Sequence, residues 1–158
     1  MKTIERTEYL NRIKNLKDTP DIKVITGIRR SGKSILMQEY IQYLKDNFND
    51  INVIFIDFMD LSFEHLKEYH ALHAYVEERY VERKSNYLFI DEVQMCPNFE
   101  LAVNSLYSKR KYDIYITGSN AFLLSADLAT LFTGRYIEIH VYPFSFKDTN
   151  FPSLLFNS

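Results

Sequence analysis

Tryptophan is absent from this chain of 158 residues, and cysteine occurs once. A lone Cys96 excludes an internal disulfide framework and fits a reducing interior. No large excess of one charge is present either. A formal net charge of -2 supplies no global drive toward nucleic acid or an anionic membrane, leaving only a local basic patch to attract either. No apolar run approaches the roughly 18 residues of a membrane span, and Met1 to Leu10 carries charges where a signal peptide needs an apolar stretch. The chain therefore reads as soluble and cytoplasmic. Repeats and low-complexity segments are missing. Glycine is scarce: its four positions, Gly27, Gly32, Gly118 and Gly134, are expected where backbone geometry counts.

What remains is ordinary globular material. With 46% hydrophobic residues the chain can bury roughly two-thirds of its unfolded surface in one core. Its Phe and Tyr content argues against disorder and places tyrosines at the margins of that core. Thr3 to Leu16 reads as an amphipathic helix ending near Asp18-Thr19-Pro20, beside any ligand site the sheet carries. Strands are predicted at Lys23 to Thr26, Val53 to Asp57, Tyr87 to Asp91, Ile114 to Thr117 and Tyr136 to Val141. Between them, Leu36, Tyr40, Leu44 and Phe48 form one helical stripe, Leu66, Tyr69, His73, Val76 and Tyr80 a second, and Phe99, Val103 and Leu106 a third. Such alternation predicts a mostly parallel sheet with helices on both faces.

Gly27-Ile28-Arg29-Arg30-Ser31-Gly32-Lys33-Ser34 matches G-x-x-x-x-G-K-[ST] in full, after a strand and before a helix. Such a loop turns backbone N–H groups toward phosphate oxygens. Lys33 would meet the β- and γ-phosphates and Ser34 would offer its hydroxyl to Mg²⁺, with Ile35 next in the same helix turn. Tyr87-Leu88-Phe89-Ile90-Asp91-Glu92 has the form of an apolar strand ending in acid. Asp91 is the metal-side carboxylate, and Glu92 is suited to polarise a water for attack on the γ-phosphate, which favours hydrolysis over transfer to another molecule.

Ser119 and Asn120 follow the next strand, where open α/β sheets bind ligands. They would orient water or sense the γ-phosphate, or else cap the helix that begins at Ala121. Arg135 enters the last strand, either to neutralise phosphate charge or to form a surface ion pair. Arg29 and Arg30 are expected to face outward. Gln94 is read equally as a relay of nucleotide state or an exposed turn residue. His70, His73 and Glu77 share a helical face but read as packed or surface groups, not metal ligands.

Together Ile25 to Ser34, Phe89 to Gln94, Ile116 to Asn120, Leu131 to Tyr136 and Pro143-Phe144-Ser145-Phe146 resemble prokaryotic AAA+-type ATPases. That resemblance implies an α/β P-loop NTPase fold, a three-layer sandwich around a five-stranded sheet in the order 5-1-4-3-2. It implies Mg²⁺ at Asp91 and Ser34, Glu92 as base and a polar sensor near Ser119 and Asn120. Residues 1–146 would be the ATPase core and 147–158 a short tail, where the family carries a larger C-terminal region supplying lid and partner surfaces.

The expected activity is Mg-dependent ATP hydrolysis, with ATP and Mg²⁺ as cofactors and a second copy or another protein as partner. The alternative is a truncated, non-hydrolysing nucleotide-binding module that acts through a partner. A P-loop small-molecule kinase ranks below both, for want of an Arg-rich lid segment.

Overall fold

The computed structural model describes residues 2–27, 32–119, 121–122, 128–132 and 136–142. Helix α1 (Lys2–Asn15) leads to strand β1 (Ile22–Gly27) and helix α2 (Lys33–Asn47), followed by β2 (Ile51–Asp57). A 3-10 segment (Leu61–Lys67) and α3 (Tyr69–Glu78) precede β3 (Ser85–Asp91). After a 3-10 turn (Val93–Met95) come α4 (Phe99–Ser108), β4 (Tyr112–Ser119), the one-turn α5 (Leu128–Leu131) and β5 (Tyr136–His140).

The five strands pair in the order β2-β3-β4-β1-β5, every pair parallel, which is the expected 5-1-4-3-2 read from the opposite edge. From β1 the chain crosses to β2 in one direction and returns through β3 to β4 in the other. Right-handed crossovers therefore place α2 on one face and α3 and α4 on the other. Period-two alternation fills both layers. Leu88, Ile90, Ile114 and Ile116 join the core beneath α3 and α4, whereas Tyr87, Phe89 and Tyr115 join the core beneath α1 and α2. In the latter, Phe89 stacks on Tyr115 with ring centroids 4.8 Å apart, and Tyr40 of α2 closes on Tyr115 at 5.2 Å.

Three details depart from the sequence reading. The stripe from Leu66 to Tyr80 is not one helix, because Glu68 leaves the helical region at φ −102° and ψ 124° and accepts the amides of His70 and Ala71, starting α3 afresh. Phe48 is the extended cap of α2 instead of its last stripe residue. Among the described glycines only Gly27 and Gly32 take positive φ, while Gly118 is an ordinary strand residue paired with Thr26. Gly134 and residues 147–158 lie outside the described residues.

Candidate functional site

Parallel pairing aligns the carboxyl ends of the strands, so that Asp57 sits opposite Asp91 and Gly27 opposite Ser119. The chain leaves β1 at Gly27 (φ 156°) and enters α2 through Gly32, whose φ of 98° and ψ of 9° would strain any residue with a Cβ. Lys33 is the first residue of α2 and only 3% exposed, and the Leu36 amide closes the first turn on Gly32 at 2.9 Å. The start of this helix thus brings its first-turn amides, and the positive end of its dipole, to the carboxyl edge of the sheet. Ser34 and Ile35 follow on the exposed side. Ile28, Arg29, Arg30 and Ser31, expected in the same cradle, lie outside the described residues.

Asp91 is 4% exposed. The Thr117 hydroxyl donates to its Oδ1 at 2.5 Å, and the Ser34 hydroxyl bonds to it as well. Burial pushes the Asp91 pKa above the ordinary 3.8; the two hydroxyls pull it back, and the charges of Glu92 and Asp57 push it up again. Hydroxyl and carboxylate oxygens are the hard donors that suit Mg²⁺, and a desolvated carboxylate among like charges gains when a cation arrives. The donor set therefore fits that ion. No group of three or more His, Cys, Asp or Glu among the described residues could hold a metal by itself, so water or a bound ligand would have to complete the shell.

Glu92 departs from the strand in the left-handed region at φ 58° and ψ 54°, a conformation that costs a non-glycine residue about 1 kcal/mol or more. Its amide donates to Thr117 Oγ1 at 2.8 Å, and Gln94 Nε2 donates to its Oε1 at 2.7 Å. One threonine hydroxyl thereby ties the Asp91 carboxylate to the Glu92 backbone. The sequence reading gives Thr117 no role beyond ending the strand Ile114 to Thr117, although a polar residue at the end of the apolar run Ile114-Tyr115-Ile116 was a usable signal. Asp57 was missed for a different reason: only strand order sets it beside Asp91.

Ser119 ends β4, and its Oγ accepts from the Phe122 amide at 3.3 Å, the capping contact weighed beside a sensing role. Asn120 and Arg135 lie outside the described residues. Gln94 is half-buried, and its Oε1 is buried with no hydrogen-bond partner among the described residues. His73 bonds Ser105, exposed His70 bonds Glu68 and Glu77 bonds Tyr112, so each of the three groups has a hydrogen-bond partner within the fold. Beside the acids, Ser34, Ile35, Gln38, Asp57, Met59 and Asp91 contribute to an open groove of about 510 Å³. α1 lies against α2, the helix that starts at this edge, held there by an Arg6–Glu39 ion pair of 2.6 Å.

A protein-family model described as an AAA domain matches residues 19–150. Among curated relatives, an uncharacterized protein of Haemophilus influenzae is 40% identical over 147 residues, spanning 92% of this chain and 37% of that protein. An uncharacterized protein of Methanocaldococcus jannaschii is 30% identical over 146 residues, spanning 91% and 32%. The chain covers about a third of the length of these relatives. Among solved structures, Cdc6p from Pyrobaculum aerophilum superposes with a TM-score of 0.65 at 15% identity, over 90% of this chain and 46% of that one. Drosophila ORC bound to AT-rich DNA and Cdc6 gives 0.63 at 10% identity, over 96% and 60%. At such identities the likeness is one of fold. No helix among the described residues is long and apolar enough to cross a membrane.

Proposed function

The chain belongs to the AAA domain family, and on that premise we propose that the carboxyl edge of its sheet binds Mg-ATP and hydrolyses it. In this reading residues 1–146 form the ATPase core. The loop from Gly27 through Ile28, Arg29, Arg30, Ser31 and Gly32 to Lys33, Ser34 and Ile35 wraps the triphosphate with backbone amides, and Lys33 neutralises its terminal phosphates. Ser34 and Asp91 would hold Mg²⁺, which when bound offsets phosphate charge. Glu92 accepts the proton of the attacking water, Ser119 and Asn120 sense the γ-phosphate, and Arg135 counters the charge that develops on it. One observation carries the reading: the Thr117 hydroxyl ties Asp91 and the Glu92 backbone together, which suits one acid for a metal and the other for a water.

A non-hydrolysing module is the second reading, favoured by the Gln94 bond that occupies a Glu92 carboxylate oxygen. Drosophila ORC, a neighbour in fold, is seen with DNA and Cdc6, and this supports reading the present domain as one part of an assembly, with a second copy or another protein.

Nucleotide-binding calorimetry beside a phosphate-release assay separates the two readings. Lys33→Ala should abolish ATP binding, whereas Glu92→Gln should keep it and slow phosphate release about 100-fold or more. Equal loss of binding in both variants would overturn the division of labour, and binding without turnover in the unaltered chain would establish the module.

A further inference from the structure

The opposite edge of the sheet, at the amino ends of the strands, has a different chemistry. Strands β3 and β4 pair there through Asn86 and Tyr112, so the connection from α3 to β3 lies beside the connection from α4 to β4. These two short loops carry Arg79, Arg83, Lys84, Lys109, Arg110 and Lys111, all exposed. Arg79 pairs with Glu78 at 3.7 Å and Lys109 with Glu77 at 3.4 Å. The other four cations have no ion-pair partner among the described residues, and Glu82 is the one acid within the two loops. Between the loops opens a cleft of about 310 Å³, lined by Lys84, Arg110, Lys111 and Tyr107. Asp18 and Asp113 also line it. Each spends its charge on a lysine of its own, Lys17 at 2.7 Å and Lys23 at 2.6 Å, so the lining stays cationic.

The backbone that carries the cations is also held in place. Asn86, 3% exposed, donates to the carbonyls of Val81 and Lys84 at 2.9 and 2.8 Å and accepts the Val81 amide at 3.0 Å, which staples the first loop to the sheet. Arg110 lies over the Tyr107 ring at 5.6 Å and Lys111 over Tyr80 at 4.6 Å. Arg83 and Arg110 both occupy the left-handed region, at φ 71° and 57°, strain that the surrounding contacts sustain.

We propose that this cleft docks the sugar-phosphate backbone of a single-stranded nucleic acid. Cations gathered along one cleft suit the regularly spaced charges of a phosphodiester chain, and the Arg110 guanidinium, with the partly exposed Tyr107 and Tyr112 rings that line the cleft, offers planes on which bases stack. An acidic protein segment would use the charge but not the aromatic faces. The site is independent of the phosphate-binding loop, which occupies the other end of the strands.

Fluorescence anisotropy with labelled oligothymidylate and oligouridylate of about 16 nucleotides tests it, the two probes distinguishing DNA from RNA as the source of the strand. With the 158-residue chain, binding of at least one probe should weaken about tenfold or more when Lys84, Arg110 and Lys111 are changed together to Gln. The slope of log affinity against log salt should fall by about 2. Lys67→Gln, a charge change at the other end of the sheet, should leave binding unchanged, as should Lys33→Ala. No binding of either probe in low salt would overturn the proposal. So would undiminished binding by the triple variant, loss of binding in Lys33→Ala, or displacement of the probe by an equal concentration of oligoglutamate of matched charge.

Discussion

Two buried aspartates occupy opposite ends of the same sheet, and they are solved differently. Asp113, near the amino end of β4, accepts Lys23 Nζ at 2.6 Å, the Asp18 amide at 2.7 Å and the Tyr115 hydroxyl at 2.9 Å. Lys23, with no exposed surface, also donates to the Thr19 carbonyl at 2.5 Å. Tyr40 extends the network to α2 through the Tyr115 hydroxyl. Asp91, at the carboxyl end of β3, has hydroxyls as hydrogen-bond partners and carboxylates as neighbouring charges. Burial raises both pKa values. At Asp113 a lysine and an amide oppose that rise, giving a closed structural knot, whereas the surroundings of Asp91 reward an incoming cation. The comparison separates what holds the fold from what the fold holds ready.

Breaking the knot should give the largest effect. Lys23→Met leaves Asp113 as a buried charge without its ion pair and should cost about 3–5 kcal/mol, read as a lowered urea midpoint. Adding Asp113→Leu should recover most of that loss, since an apolar replacement of the whole pair removes the stranded charge. If the single variant lost less than about 1 kcal/mol, the pair would be a passenger and the contrast with Asp91 would dissolve.

At the other end the sign reverses. A carboxyl whose folded pKa is raised contributes most below its unfolded value, near 3.8, and becomes a liability as pH climbs through the folded value. Asp91→Asn should therefore raise the melting temperature of the nucleotide-free chain at pH 7 by a few degrees, the gain shrinking toward pH 4. The same change should remove the extra thermal protection that magnesium adds to ATP. Destabilisation of the nucleotide-free chain by this variant would mean that the Thr117 and Ser34 bonds outweigh burial, and the site would then be structural in character.

Much of this contrast was legible in the residues. Strong local signals, the apolar strands and the Gly27 to Ser34 pattern, marked the sheet and the edge at which β1 hands over to α2, because alternation and glycine geometry act within a few residues. Lys23 and Asp113 gave no such signal. They lie 90 positions apart and meet only because β1 and β4 pair, so a lysine at a strand start reads as exposed until the sheet is assembled. Asp57 escaped for the same reason, and the helix break at Glu68 was hidden by apolar residues that keep helical spacing across it. The basic cleft was equally invisible in a net charge of -2, because strand order, not composition, gathers its two loops.

The smallest effect belongs beside that cleft, where Tyr112 donates its hydroxyl to Glu77 Oε2 at 2.5 Å. This bond, followed by the Lys109 charge, holds the Glu77 carboxyl below its ordinary 4.5 against an opposing contribution from burial. A depressed carboxyl stabilises the fold above its unfolded value and loses that contribution as pH falls through the folded one. Tyr112→Phe should consequently lower stability by about 0.5–1 kcal/mol at pH 7, a figure reduced for the partial exposure of Glu77. The deficit should fade as pH drops below about 4.5, because a protonated Glu77 no longer prefers the hydroxyl so strongly. Denaturant unfolding of both chains across that range reads it directly. A deficit that stayed constant to pH 3 would mean that the Tyr112 hydroxyl acts independently of the Glu77 charge, and the charge-assisted reading of this bond would fall.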